Sequence, residues 1–137
     1  MNRSEFQELV ELRLADTDTL LRQGRYDAAY YLAGYAVECA LKACIAKQTA
    51  EHDFPPRTAG EFYQHDLGNL LRLAKLGRRW FDEIEADQEL GVNWDVVKAW
   101  SEQSRYERTR TEKEAKDIHS AIQDPEHGVL ACLRRLW

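Results

Sequence analysis

Glu38 and Lys42 stand four residues apart inside YYLAGYAVECALKACIA, residues 30–46, the most apolar stretch of the chain. On a helix that spacing puts both on one face, acid first, the favourable order for an ion pair. A carboxylate among small apolar residues is costly unless it has partners. Two readings fit. The residues form an intrahelical pair at a seam between helices, or they line a groove where Lys42 meets a phosphate and Glu38 a ribose or base. His65-Asp66 also allows two readings. Asp66 caps a helix with the imidazole packed behind it, or the imidazole sits at a helix N-terminus whose free N–H groups favour an anion. His52-Asp53 repeats the dipeptide in a loop, without that support.

A second cluster is SRYERTR, residues 104–110, followed by Lys113 and Lys116. Arginine makes forked hydrogen bonds to phosphate, and Tyr106 can stack on a base. Glu107, Glu112 and Glu114 temper the charge, so a solvated helix end is the plainer reading. No Gly-rich phosphate loop, Ser/His/Asp arrangement or catalytic carboxylate pair stands out. No histidine or cysteine has diagnostic metal spacing, so neither a metal nor another cofactor is expected.

These residues need elements to hold them. Phe6, Val10, Leu14, Thr17 and Leu20 recur at helical spacing over 5–22, and Gly24 ends that helix. From Arg25 to about Gln48 runs a second helix with a large apolar face (Tyr26, Tyr30, Ala33, Val37, Leu41, Ile45). Its other face is small (Ala29, Gly34, Ala36, Ala40, Ala43), which admits close neighbours. It reads as the centre of a bundle. Pro55 and Pro56 interrupt the pattern in a long loop, residues 51–64. Asp66 caps a third helix that stops near Gly77. RRWFDEIEADQEL continues as a further turn or two. Gly91 and Asn93 mark a break, with Asn93 capping WDVVKAWSEQSRY. TEKE, residues 111–114, is a capping box opening the next helix. Asp124-Pro125 starts the last one as cap and first residue. Trp80, Trp94, Trp100 and Trp137 belong to the core or to a dimer interface.

The bulk numbers agree with this outline. A chain of 137 residues with 44% apolar and 31% charged content suits a single domain, residues 1–137. Seven Gly and three Pro favour helices over many strands. A net charge of −5 argues against binding nucleic acid through an overall positive field, but leaves room for a local basic patch. Cys39, Cys44 and Cys132 are odd in number and lack a CxxC pair. Residues 1–7 are polar and charged, unlike a secretory leader. Reduced cysteines in a cytoplasmic protein are expected. No membrane span is expected, because the apolar stretch is short and carries Glu38 and Lys42.

The run GYAVECALKA, then HDL after a loop, then SRYE and a closing Ala-rich helix, resembles the HEPN domain (higher eukaryotes and prokaryotes nucleotide-binding) over residues 5–136. The resemblance implies an antiparallel up-and-down bundle of four to five main helices with short extra segments, usually homodimeric. Many members are partners of a minimal nucleotidyltransferase in toxin–antitoxin modules. Others are metal-independent ribonucleases marked by Arg, four to six residues, then His. That spacing precedes none of the four histidines here: Arg57 lies too far before His65, and Arg110 too far before His119. Lys113 has the spacing to His119 but lacks the planar fork. The expectation is therefore a non-nuclease member that binds a nucleotide or RNA segment through Glu38, Lys42, His65, Asp66, Arg105 and Tyr106. The rivals are a ribonuclease using Arg105 with His119 or His65, and a purely structural helical interaction protein.

Overall fold

The computed structural model describes residues 1–52 and 64–137, the side chains of 49–52 excepted. His52-Asp53 and the Pro55-Pro56 loop lie outside the described side chains. Among the described residues the regular elements are all helices, with no strand: an all-α bundle. Its helices are α1 Arg3–Arg22, α2 Tyr26–His52, α3 Leu67–Leu73, α4 Gly77–Ala86, α5 Gln88–Lys98, α6 Glu112–Gln123 and α7 Val129–Arg134. A 3-10 segment, Glu102–Tyr106, follows α5. No described helix is long and apolar enough to cross a membrane.

Local chemistry sets most of the ends. Asn2 and Glu5 form a capping box at the start of α1, two residues ahead of the start expected from periodicity. At its far end Gly24 takes φ 72°. Gly24 N–H donates to Leu21 C=O at 3.1 Å and Arg25 N–H to Leu20 C=O at 2.9 Å, the paired closure of a Schellman turn. The capping box of Thr111 and Glu114 opens α6 as expected.

Three boundaries differ from the expectation. Helix α3 does not run to Gly77. It closes in a second Schellman turn whose left-handed residue is Lys75, φ 57°, with Leu76 N–H on Leu71 C=O at 3.2 Å. Gly77 instead begins α4. A side chain in this conformation is strained, so Lys75→Gly should raise the unfolding free energy by about 0.5–1 kcal/mol. A shift in the urea midpoint at constant m measures it. A midpoint that falls would show that the lysine side chain contributes more than its backbone costs.

Second, Gly91 and Asn93 break nothing. Asp87 interrupts the chain and caps α5 through Glu89 and Leu90 N–H. Gly91 faces Ile84 so closely that a Cβ would lie 3.0 Å from the isoleucine Cγ2. Asn93 donates from within α5 to the His127 carbonyl at 2.9 Å. Third, Asp124 accepts from the N–H groups of Glu126 and His127, but it holds a turn, and α7 starts only at Val129.

That turn is pinned by His127. Its Nδ1 lies 2.8 Å from Asp87 and its Nε2 lies 3.1 Å from Glu89, with Glu126 at 3.7 Å. The Asp87 contact raises the His127 pKa above its ordinary 6.5, and the same contact lowers Asp87 below 3.8. The raised histidine contributes stability that is complete below 6.5 and lost as pH climbs through its folded value. The lowered aspartate contributes above 3.8 and is lost as pH falls. The pin is therefore strongest between those values. The melting-temperature gap between wild type and His127→Gln should be widest near pH 5–6 and should narrow above neutrality. A gap that stays constant with pH would show that the charge contributes nothing.

Helix α2 is the axis of the assembly. It packs on α1, α3, α6, α7 and the 3-10 segment. Every residue from 36 to 45 is buried, the pattern of a helix surrounded by others. Leu41, Val37 and Ala40 from α2 meet Val10, Leu70, Ile118, Ile122, Leu130 and Leu133 in one core. Trp80, Trp94 and Trp100 are buried in it, and Trp137 packs against it half-buried.

Candidate functional site

One stripe of α2, residues 31, 34, 35, 38 and 42, turns away from this core toward two segments distant in sequence. The first is the entry to α3, where Asp66 caps Asn69 N–H at 2.8 Å. The second is the stretch from Trp100 into the 3-10 segment, opened by Ser101 capping Gln103 N–H. Trp100 lies on the stripe itself. A Cβ on Gly34 would fall 2.3 Å from the indole carbons, so only a glycine lets the ring reach the helix. Tyr31 stacks on the same indole with centroids 6.1 Å apart, and on Tyr35 at 6.2 Å.

One turn beyond Gly34 stands Glu38, 1% exposed. Its Oε1 accepts from Lys42 Nζ at 2.9 Å and lies 2.8 Å from His65 Nδ1. The other imidazole nitrogen, Nε2, is 3.0 Å from Glu102 Oε2. The two acids therefore hold one imidazole between them and tie α2, the α3 entry and the 3-10 segment together. A neutral imidazole has one N–H, so both contacts are hydrogen bonds only for the doubly protonated ring. His65 is 41% exposed at its side chain. It borders a half-open cleft of about 370 Å³ walled by Gln64, His65, Asp66, Trp100, Ser101, Glu102 and Gln103.

Among the described residues, two buried polar atoms here have no partner: Glu38 Oε2 and Trp100 Nε1. Nearby groups are not nucleophiles. Burial, and then Glu38, raise the Cys39 thiol to about 11. Burial, and then Cys39, raise Tyr35 to about 12. Cys44 and Cys132 are likewise buried, free and raised, to about 12 and about 11. Thiols kept protonated are packing groups.

Of the residues singled out from sequence, the fold brings Glu38, Lys42 and His65 into direct contact and puts Asp66 in the cleft wall. Arg105 and Tyr106 are not wall residues. Both are exposed, the guanidinium 4.8 Å over its neighbour's ring. Arg105 follows Glu102 by three residues in a 3-10 helix, where such side chains eclipse, so it stands at the rim. Arg110 is committed elsewhere: it bonds Glu107 and Glu114 and lies 3.9 Å over Tyr30, while its N–H donates to Asp27. His119 sits between α1 and α6, 2.5 Å from Asp18 Oδ1 and 2.9 Å from Gln123 Nε2. Its described partners include no arginine.

Sequence spacing does not single out Glu102 and gives Trp100 no place in a site. An acid three residues before an exposed arginine was the available signal for Glu102. Nothing local pointed to its contact with His65. The wall is acidic, through Asp66 and Glu102, and Lys42 is matched to Glu38.

A family profile described as HEPN domain matches residues 11–127. No curated protein and no solved structure matches the chain.

Proposed function

The chain belongs to the HEPN domain family, and on that premise we propose that it is a nucleotide- or RNA-binding module whose site is the cleft beside His65. The observation that carries this reading is the Glu38–His65–Glu102 contact, which places a buried carboxylate behind an open polar cleft with Arg105 at its rim. Ionic groups this deeply placed lower stability unless something uses them. Arg105 supplies the phosphate contact and Tyr106 a stacking face.

Binding of labelled mononucleotides and short single-stranded RNA tests the proposal. Arg105→Ala should weaken binding by about tenfold, the effect of losing one charge-assisted contact. It should also flatten the salt dependence. No binding by any nucleotide or RNA would end it.

The same reading makes the protein a cytoplasmic homodimer and the partner of a minimal nucleotidyltransferase in a toxin–antitoxin module. Family membership supports the homodimer and the partner, and the free, buried cysteines support the cytoplasmic location. Sedimentation at micromolar concentration and co-purification with the product of an adjacent gene test the dimer and the partner.

A second reading has one observation behind it. His65 and Arg105 both flank the cleft, so a ribonuclease would use His65 as acid or base with Arg105 on the phosphate. His119, held by Asp18 and Gln123, is the weaker partner for Arg105. RNA cleavage in EDTA that disappears in both His65→Gln and Arg105→Ala would establish this reading. Its absence from wild type would remove it.

A further inference from the structure

Among the described residues four buried side-chain polar atoms lack a partner, Arg13 Nε, Glu38 Oε2, Trp80 Nε1 and Trp100 Nε1, and the two at this site are of opposite sense. Trp100 Nε1 carries a hydrogen to donate, and Glu38 Oε2 carries lone pairs to accept one. The indole rests on Gly34, and Glu38 is the next residue up that face. Buried polar atoms are nearly always satisfied, so an orphan donor and an orphan acceptor on neighbouring side chains call for something that answers both. Trp100 stands in the cleft wall, and so does His65, which contacts Glu38. Its volume of about 370 Å³ falls in the range of small-molecule sites, roughly 300–1,000 Å³.

We propose that the cleft takes an amino-bearing nucleobase by its edge. The exocyclic N–H donates to Glu38 Oε2, and the adjacent ring nitrogen or carbonyl accepts from Trp100 Nε1–H. This rests on the nucleotide-binding reading and assigns its parts: base inside, phosphate outside at Arg105. The electrostatics demand that order. Asp66 and Glu102 wall the cleft, Glu38 lies beneath, and the one cation of the stripe, Lys42, already donates to Glu38. A phosphate entering would meet carboxylates, whereas an amino group finds acceptors. His65 covers Glu38 and is held there through its contacts with Glu38 and Glu102. Rotation of its half-exposed ring uncovers the acceptor while leaving the backbone in place.

Calorimetric titration with adenosine, cytidine, AMP, CMP, ribose 5-phosphate and inorganic phosphate tests this on the intact protein. Adenosine and cytidine should bind about tenfold more weakly than their monophosphates, the share of the Arg105 contact, and ribose 5-phosphate and phosphate should not bind. Trp100→Phe removes the donor together with the five-membered ring, so some stability is lost with it. Titrated well below its melting range, it should weaken adenosine by about tenfold. Glu38→Gln can place an amide N–H where Oε2 accepts and should weaken adenosine too, with a loss of stability because it removes the charge that faces Lys42. If ribose 5-phosphate binds as well as AMP and adenosine does not, the base-first assignment is wrong, while nucleotide binding stands. If adenosine binds equally to wild type and to Trp100→Phe, the orphan pair holds only water and the assignment fails. If nothing in the panel binds and RNA does not bind either, the underlying reading fails with it.

Discussion

Methionine in place of Glu38 lowers the unfolding free energy by about 3–5 kcal/mol, the cost of leaving a buried partner unmatched. Glu38 is 1% exposed and Lys42 9%, so solvent cannot take over the role of the missing carboxylate. Removing it leaves the Lys42 ammonium without its 2.9 Å partner and His65 Nδ1 without its acceptor. Changing Lys42 to methionine as well should return most of that loss. Two apolar side chains of similar length then fill the seam, and such swaps are often neutral or stabilising. Urea titrations of the two single variants and the double variant close the cycle. A single Glu38→Met variant within about 0.5 kcal/mol of wild type would contradict it, because the pair would then contribute nothing. The expected contrast separates stability from use. A double variant that is as stable as wild type but no longer binds its ligand would show why the ionic pair is kept.

Alanine at Gly34 is the second large effect, and here two terms oppose each other. Alanine in a helix interior is worth about 1 kcal/mol over glycine. Against that, the added Cβ would sit 2.3 Å from Cγ, Cδ1 and Cδ2 of Trp100. The indole is rigid, 4% exposed and stacked on Tyr31, so the ring cannot recede by a side-chain torsion alone. Overpacking of this kind typically costs about 1–3 kcal/mol, and so severe an overlap puts the cost at the upper end. The net result is a loss of about 1–2 kcal/mol, or roughly 3–8 °C in melting temperature for a domain of this size. The displaced indole should also disturb the cleft. Gly77→Ala is the control. It meets nothing within 4 Å and stands at the first residue of α4, so it should leave stability unchanged or slightly raised. Equal destabilisation of both variants would show that chain flexibility, not the tryptophan, requires glycine at 34.

Much of the helix framework was legible because its determinants are local. Thr111 and Glu114, and Asp66, act on N–H groups within three residues of themselves. The axial place of α2 follows from apolar residues on every side of it. Errors came where a residue chosen for a distant neighbour looked like a local signal. Gly91 reads as a break but makes room for Ile84, and Asn93 reads as a cap but reaches His127. Gly77 reads as a stop, yet Lys75 takes the left-handed conformation because the Schellman bonds close there.

For the site, sequence alone determined that Glu38 and Lys42 share a helix face in the order that favours an ion pair. It also offered Asp66 as a cap. Only the tertiary structure decided that His65 lies between Glu38 and Glu102, that Trp100 rests on Gly34, and that Arg110 is spent on Glu107 and Glu114 while Arg105 is exposed at the rim. The reason is range. A helical repeat relates residues three or four positions apart, whereas the contact from 38 to 65 depends on how whole helices pack, which no short spacing encodes.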